Sequence, residues 1–464
     1  MESPIPPAPA SPRHLVLRFT VALMLALGVH LLLIGFLAIV VEMGAPSPPA
    51  EILAMTEAGP PAQEAKVSKP MPASADAMAV PPPASILEFS TRGTMSLPPI
   101  SDRAPSPTMT LGAAQAVFSG GGGMGVPVAM KSRFNPDMRL KLLMERGGLP
   151  GAEDAVQRAL DWLVSVQNAD GSWGKTYKVA MTGFAVLCFL GHGDSVDSPK
   201  HGRVVSRGVQ YLTDVSEKNG GLMATVKRAN GACYEHGIAT YALGEVYALA
   251  RFGQKGLGPV AEAFDRGVRI ILEGQTKEGG WLYNYHLGTG GDLSVTGWQY
   301  QALKAARQTR LRFPTLEAQI QKTERFLLSM RGPRGGFGYQ EPADKASLTG
   351  VGVLGLQMFD PGEHRLAIIA GLQVVLESYA KKRWAGADVY AWYYNTQAAF
   401  NFGGAAWDRW NAIFQKEVLE NQQPDGHWHH ASARKAKNDS DIFCTTLCTL
   451  MLEVFYRYQP TATR

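Results

Sequence analysis

The feature that most constrains this chain is a sequence repeat of about fifty residues, which runs from about Ala152 to Tyr458. A signature of the form Q-x-x-x-G-x-W occurs at Gln167–Trp173, Gln275–Trp281 and Gln422–Trp428. Degenerate copies occupy Arg331–Phe337 and Ser216–Leu222, and the fifth repeat lacks the signature. A period of this length indicates one supersecondary unit per repeat, stacked against its neighbours.

Each repeat carries two helical patterns of different character. Before the signature the pattern is amphipathic: in the first repeat, Val156, Leu160 and Leu163 share one helical face. After the signature the pattern is apolar on all sides, which is typical of a buried helix. Aligned positions in these second helices are Thr182, His236, Thr296, Thr349, Thr396 and Thr445. We therefore predict an all-α fold, an (α/α)6 toroid of six helical hairpins, closed because the end repeats must cover each other.

These signatures and paired helices resemble the prenyltransferase and squalene-cyclase repeat superfamily over nearly all of residues 140–460. Segments such as GDLSVTGWQYQALKAA are similar to a bacterial branch of membrane-anchored, squalene-cyclase-like repeat proteins. The resemblance implies the toroid, and it does not supply an activity for this branch.

One segment of the sequence shows whether the chain carries the acid that cyclases use. Triterpene cyclases carry D-x-D-D-T, in which the middle Asp protonates the substrate. The matching segment here runs from Asp292 to Thr296 and places Ser294 at the proton-donating position. A serine hydroxyl is too weak an acid to protonate an alkene. The sequence therefore argues against standard cyclase activity.

Two other activities of this fold also lack their residues. The zinc ligands of protein prenyltransferases correspond to Tyr390, Trp392 and Cys444, so two of three ligands are missing and we predict no metal and no cofactor. Complement-type thioester domains need C-x-E-Q, whereas Cys233 is followed by His236 at the Gln position. Imidazole has no carboxamide to condense with the thiol.

Two aspartates mark the predicted mouth of the ring, where the inner helices begin. Asp292 and Asp441 each lie four residues before the aligned Thr, in repeats three and six. Opposite inner helices lie roughly 20 Å apart, too far for the ~6.5–9.5 Å carboxylate pair of an inverting glycosidase. N-capping is the plainer interpretation of both residues.

His236 is the exception among the aligned threonines. It is either a core histidine with satisfied hydrogen bonds or, with Asp292, a catalytic residue. The predicted cavity-lining residues are Lys178, Thr182, Glu235, Thr296, Trp298, Lys345, Thr349, Trp392, Tyr394 and Asp441. The nearby cluster His427, His429 and His430 has no carboxylate or thiolate at a fixed spacing, so it does not predict a metal site.

The N-terminus predicts a membrane anchor. Phe19–Val41 is apolar apart from Thr20 and His30, which is long enough to cross the ~30 Å hydrocarbon layer. Arg13 and Arg18 precede it, so the positive-inside rule places residues 1–18 in the cytoplasm. The run is longer than a signal-peptide core and no A-x-A site follows, which favours an uncleaved anchor over a cleaved signal. We expect a single-pass protein of the inner membrane with a periplasmic C-terminal domain.

Residues 42–134 are rich in Pro and Gly and predict a disordered linker, followed by the repeat domain at 135–464. The basic start, His30 and the proline-rich stretch resemble the N-terminus of TonB-type energy transducers. That resemblance implies a proton-driven motor complex as a partner of the transmembrane helix.

The composition restricts the function further. A net charge of +5 and the lack of a basic run with interleaved aromatics argue against nucleic acid. The four cysteines contain no C-x-x-C pair and are predicted to be buried apolar residues. We expect a toroid that binds an apolar or glycan ligand, or a partner, in its central cavity. The alternatives are a terpenoid- or glycan-modifying enzyme that uses Asp292 and His236, and a structural envelope protein.

Overall fold

Fourteen α-helices lie in the part of the chain that the computed structural model describes, which is residues 132–225, 231–249, 258–285, 288–309 and 311–458. All of these residues belong to one unit, Thr94–Arg464, and the unit Met1–Gly93 lies outside them. The predicted anchor and almost all of the predicted linker therefore also lie outside. Within the described ranges, no helix combines the length and apolar character needed to cross a bilayer.

Twelve of the helices alternate between an outer and an inner layer. The outer helices are Gly151–Ser165, Gly202–Lys218, Gly258–Glu273, Leu316–Ser329, Arg365–Tyr379 and Gly404–Glu420. The inner helices, numbered one to six below, are Lys178–His192, Ala232–Leu249, Leu293–Arg307, Ala346–Phe359, Val389–Phe402 and Ser440–Leu452. A lead-in helix, Pro136–Glu145, precedes them, and a short helix, Val454–Arg457, follows. Short 3-10 helices span Trp384–Gly386 and Ala431–Asp439.

The inner helices form a closed ring. Each inner helix contacts the next one along the chain, and the sixth contacts the first. The last outer helix, Gly404–Glu420, contacts the first, Gly151–Ser165. Inner helices such as Lys178–His192 are buried along nearly their whole length, because they have an apolar neighbour on every side. The predicted (α/α)6 toroid is thereby confirmed.

The signature tryptophans join each turn to the outer helix before it. Each indole N–H donates to a backbone carbonyl ten residues earlier. The pairs are Trp173 to Leu163 at 2.7 Å, Trp281 to Ile271 at 2.8 Å and Trp428 to Val418 at 2.7 Å. A buried indole usually finds such a partner, so the Trp fixes the turn as well as filling the core.

The signature glutamines join each turn to the outer helix of the next repeat. Every amide Nε2 donates to a carbonyl of its own turn and to one across the boundary between repeats. The acceptors are Gly171 and Val204 for Gln167, Gly279 and Gln319 for Gln275, and Gly426 and Ala155 for Gln422. The last glutamine reaches from repeat six to repeat one, so the same device also closes the ring.

Asp439 provides a second closure of the ring. It is 1% exposed, and its carboxylate accepts from the backbone N–H groups of Lys175 at 2.6 Å, Thr176 at 2.9 Å and Tyr177 at 2.7 Å. Three successive amides around one carboxylate form a small anion-binding nest. The sequence analysis did not single out Asp439, because its partners lie more than 260 residues away.

Candidate functional site at the mouth of the ring

The mouth of the ring is the end where the inner helices begin. Asp292 caps inner helix three: its Oδ1 accepts from the Ser294 N–H at 2.8 Å and from the Ser294 hydroxyl at 2.5 Å. This is the N-capping arrangement, in which a carboxylate satisfies an unpaired helix donor. Asp292 is 1% exposed, so the cap is part of the packed wall.

Three tyrosine hydroxyls converge on this capped turn. Tyr283 donates to Asp292 Oδ2 at 2.9 Å, and Tyr390 donates to the Ser294 carbonyl at 3.1 Å. The Tyr234 hydroxyl lies 2.6 Å from Ser294 Oγ. Since the Ser294 hydroxyl donates to Asp292, Tyr234 is the donor in this pair. We call these five residues the tyrosine mouth.

The tyrosine mouth presents neutral hydroxyl groups. Burial, reinforced by Asp292, raises the pKa of Tyr283 to about 12, and burial also raises the pKa of Tyr234. Both phenols therefore remain protonated donors near neutral pH. Gln340 completes the set by donating to Asp292 Oδ2 at 3.3 Å. The hydrogen bonds to the Asp292 carboxylate thus come from the backbone N–H and the hydroxyl of Ser294, from Tyr283 and from Gln340.

Aromatic side chains fill the centre of the ring next to this site. Trp298 of inner helix three contacts Phe184 of inner helix one, with ring centroids 5.0 Å apart. It also stacks on Tyr393 at 5.6 Å and meets Tyr394 at 5.3 Å. Phe184 contacts Phe443 at 5.9 Å. Because inner helices one and three are not neighbours, these rings meet across the lumen, and Trp298 and Tyr394 form its packed centre.

His236 lies in the wall of the ring. Its Nδ1 accepts from the Met223 N–H at 2.9 Å, and its Nε2 donates to the Gly267 carbonyl at 3.0 Å. The residue is fully buried, and this burial lowers its pKa to about 4. Both ring nitrogens are occupied by backbone groups, which is the geometry of a core histidine with satisfied hydrogen bonds. No hydrogen bond between described residues connects it to Asp292.

Four of the five aligned threonines have the same role as His236, and each of their hydroxyls accepts a backbone N–H from the last residue of its signature. Thr396, whose repeat lacks the signature, instead accepts from the Trp410 indole N–H at 2.8 Å. The donors are Trp173 for Thr182, Trp281 for Thr296, Phe337 for Thr349 and Trp428 for Thr445, at 2.9 to 3.2 Å. Thr182, Thr296 and Thr349 are fully buried and directed toward their turns. The structure therefore places them in the wall, where the sequence analysis expected cavity-lining residues.

Two predicted lining residues hold the turns before the inner helices in place. Lys178 forms a salt bridge with Asp170, with Nζ and Oδ2 2.8 Å apart. Glu235, fully buried, accepts from the Val179 N–H at 3.2 Å and from the Thr225 N–H at 2.7 Å. Glu235 therefore connects inner helix two to the start of inner helix one.

Two further predicted residues lie at or near inner-helix N-termini. Lys345 precedes inner helix four and is exposed at the mouth. Trp392 is the fourth residue of inner helix five, fully buried, and packs edge-to-face on Trp410 of the outer layer at 5.9 Å. Trp392 therefore contributes to the contact between the two layers.

Asp441 is the second residue of inner helix six, so it does not cap that helix; Asp439 occupies the capping position. Asp441 is half-exposed and lies 2.6 Å from His429 Nδ1. The other histidines of this cluster have different partners: His427 contacts Asp425, and His430 contacts Ser432. Their nitrogens therefore do not converge on one point.

Comparison with known proteins gives matches of fold only. No family model matches the chain, and no curated protein matches it. A variant of the type II terpene cyclase MstE from Scytonema, in complex with geranylgeranyl dihydroxybenzoate, is similar with 11% identity and a TM-score of 0.47, covering 68% of this chain and 98% of that one. An inactive variant of the alpha-1,6-mannanase GH76A of Salegentibacter sp. HEL1_6, in complex with alpha-1,6-mannotriose, is similar with 8% identity and a TM-score of 0.48. This match covers 66% of this chain and 99% of that one. A protein from Actinoplanes is similar with 17% identity and a TM-score of 0.44, covering 68% of this chain and 100% of that one.

Proposed function

We propose that the toroid is a binding domain that recognises its ligand at the tyrosine mouth and carries out neither cyclase nor prenyltransferase chemistry. The observation that supports this most directly is the convergence of Tyr234, Tyr283 and Tyr390 on the Asp292–Ser294 turn. Phenol groups combine an aromatic face with a hydroxyl oxygen. Because each O–H here already donates within the protein, its oxygen is left to accept from a ligand hydroxyl, so the site suits a ligand that is partly apolar and partly hydroxylated.

The same residues argue against catalysis. Protonation of an alkene needs a strong acid, whereas Ser294 is a hydroxyl and the pKa of Tyr234 is raised by burial. A prenyl diphosphate needs several cations, because its oxygens are recognised by clustered Arg and Lys. Of the two lysines predicted at the mouth, Lys178 is already paired with Asp170 and only Lys345 is exposed. A long apolar substrate would also have to displace the rings packed around Trp298.

The test uses the full-length protein purified in detergent, with bound species identified by native mass spectrometry. We expect a species that remains with the wild type and is lost from the Tyr234→Phe, Tyr390→Phe double variant. Tyr211→Phe, on an outer helix, is the matched control and should retain the species. Turnover of squalene or geranylgeranyl diphosphate contradicts the proposal. An empty wild-type protein also contradicts it and favours the structural envelope role.

We also propose that Phe19–Val41 anchors the ring in the inner membrane, and that His30 contacts a proton-driven motor complex. The support is the sequence pattern, because a polar side chain in the hydrocarbon layer is costly without a partner. Cross-linking from a probe beside His30 should capture a membrane partner in the wild type. Unchanged capture and function in His30→Ala would exclude the role of this histidine.

A further inference from the structure

Large apolar side chains that face solvent are concentrated on the segment that leads into the ring. Five of them lie close together in the chain and are each between 39% and 51% exposed: Phe134, Met138, Leu140, Met144 and Leu149. The other exposed side chains of this kind in the described ranges are scattered over the ring, and Leu366 is the most exposed of them at 79%. A single exposed leucine is ordinary, whereas a concentration of them marks a contact surface. We call the five residues the apolar patch.

The lead-in helix, Pro136–Glu145, contacts the base of the ring, where the inner helices end, through a largely polar side. Arg139 and Leu143 are its buried residues. Arg139 Nε donates to Glu153 Oε1 at 2.9 Å, and Arg139 Nη1 donates to the Arg133 carbonyl at 2.7 Å. The usual order is therefore inverted, because an arginine faces the ring and most of the large apolar side chains face outward.

Both ends of the lead-in helix are fixed to the ring. Before the helix, Arg133 Nη2 donates to the Arg457 carbonyl at 2.9 Å. After it, Arg146 Nη1 donates to the Tyr458 carbonyl at 2.9 Å, and the Trp407 indole N–H donates to the Arg146 carbonyl at 2.9 Å. These contacts prevent the helix from turning its apolar side inward. The apolar patch is therefore a constant feature of the folded ring.

The most exposed part of the helix is the row formed by Leu140 and Met144. The two residues are one turn apart and lie on the same side of the helix. Lys141 and Glu145, an ion pair at 3.8 Å, form the next row and separate them from Met138. An apolar row beside a polar one suits a partner helix that packs along Leu140 and Met144 with its own apolar side.

The chain immediately upstream contains an apolar segment that fits this description, although it lies outside the described residues. Residues 104–130 contain no Asp, Glu, Lys or Arg, whereas residues 42–103 carry charges of both signs. Ser106 and Pro107 have the pattern of an N-cap and a first helical residue, and Gly120 supplies a stop. Between these signals, three apolar residues have the i, i+3, i+7 spacing of one helical face: Leu111, Ala114 and Phe118.

The connection between this segment and the lead-in helix is long enough for the two to lie side by side. Residues 119–131 can span at most about 45 Å, and their run Gly120–Gly123 permits the chain to reverse. A segment tethered so closely has an effective concentration in the mM range, so a small apolar contact is sufficient to hold it. A second copy of the chain would have to bury about 800 Å² on each partner, which a few half-exposed side chains do not provide.

We propose that residues 107–118 fold back as a helix on the apolar patch and pack against Leu140 and Met144. Folding accompanies docking, because a helix this short is marginal in water on its own. The free part of the tether then ends near Ser106, and the ring is attached to it at its base. This contact lies at the end of the ring opposite the tyrosine mouth, and it depends on neither the proposed ligand nor the proposed anchor.

The test is hydrogen exchange of residues 107–118 in the full-length protein, purified as a monomer in detergent. We expect exchange about tenfold or more below the intrinsic rate, which corresponds to a docked fraction above nine-tenths. The Leu140→Gln, Met144→Gln double variant should lose this protection, because it removes the apolar contact. Leu366→Gln replaces an exposed apolar side chain elsewhere on the ring and should retain it. Circular dichroism should show the same helix content of the ring in all three proteins.

A cross-link gives a second measurement that leaves the apolar contact intact. Gln115→Cys combined with Lys141→Cys places one thiol on each predicted helix, and the four native cysteines are buried. A short bis-maleimide should join the two thiols within one chain at monomer mass. Gln115→Cys combined with Gln373→Cys, on an exposed face of outer helix five, should not be joined.

Four results would overturn the proposal. Exchange of residues 107–118 at the intrinsic rate in the wild type would show that the segment is not docked. Protection that survives in the Leu140→Gln, Met144→Gln variant would place it elsewhere. Protection or cross-linking that increases with protein concentration would assign the apolar patch to a second copy. Protection of residues 138–144 that appears only in lipid nanodiscs would assign it to the bilayer.

Discussion

At the residue scale, His236 explains why one position tolerates two different side chains. The structure requires an acceptor for the backbone N–H of the preceding turn, and a threonine hydroxyl or an imidazole Nδ1 provides it. The imidazole also donates to the Gly267 carbonyl, so it satisfies a second backbone group. An acceptor removed from a buried N–H costs about 1–3 kcal/mol. The contacts of His236 therefore give it a structural role at this position, as Thr has in the other repeats.

This arrangement predicts how stability depends on pH. The pKa of His236 is lowered to about 4, below the value near 6.5 of an unfolded histidine. The neutral form contributes its full stabilisation above pH 6.5. This contribution decreases as the pH falls from 6.5 through 4, by about 3 kcal/mol in total. The free energy of unfolding in urea, measured at pH 7, 5.5 and 4.5, should fall less steeply with decreasing pH in His236→Thr than in the wild type. Gln373→Thr, at an exposed site without a titratable side chain, should keep the wild-type pH dependence. Equal pH dependence in all three proteins contradicts the prediction.

At the scale of elements, the signature acts as a joint between hairpins. Gln275 Nε2 donates to Gly279 and Gln319, both at 3.0 Å, and to the Thr323 hydroxyl at 2.9 Å. The glycine that follows is equally constrained: Gly279 has a φ of +97°, and an added side chain would collide with the Lys322 backbone. Residues of this kind recur because each turn must meet the next outer helix in the same way.

We expect Gln275→Ala to lower the free energy of unfolding by about 1–3 kcal/mol, because it leaves buried carbonyls without their donor. Chemical denaturation followed by circular dichroism measures this change. Gln373→Ala, on an exposed face of an outer helix, is the control and should change stability by less than about 0.5 kcal/mol. Equal effects of the two substitutions would show that the signature amide does not stabilise the joint.

At the scale of the whole molecule, closure of the ring depends on one seam between repeats six and one. Gln422 crosses it to Ala155, and Asp439 crosses it to three successive amides. An open stack of hairpins would leave apolar faces of its end repeats in water. The seam therefore determines whether the repeats form a ring.

We predict that Asp439→Ala destabilises the protein by about 3 kcal/mol or more, because three amides lose a charged acceptor. Asp388→Ala is the matched control: Asp388 caps inner helix five and accepts one N–H, from Ala391 at 3.3 Å. Its loss should cost about 1 kcal/mol. Hydrogen exchange should increase at residues 175–177 only in Asp439→Ala. Unchanged exchange there would mean that the seam is held without this carboxylate.

The sequence by itself determined the architecture of this protein. The signature spacing, the two helix types and the alignment of Thr182 with His236 are local patterns, because they depend on residues within one hairpin. Capping by Asp292 was predictable for the same reason. Closure was predictable too, since the faces of the end repeats had no other cover.

Only the tertiary structure decided the contents of the ring. Tyr390 reaches Ser294 across 96 positions of sequence, and Arg133 reaches the Arg457 carbonyl across 324. No periodicity encodes such pairs, because they arise only once the ring has closed. The same holds for the aromatic centre, where Phe184 and Trp298 meet from helices that are not neighbours. The repeat determines where each helix lies, and the closed ring determines which side chains meet inside it.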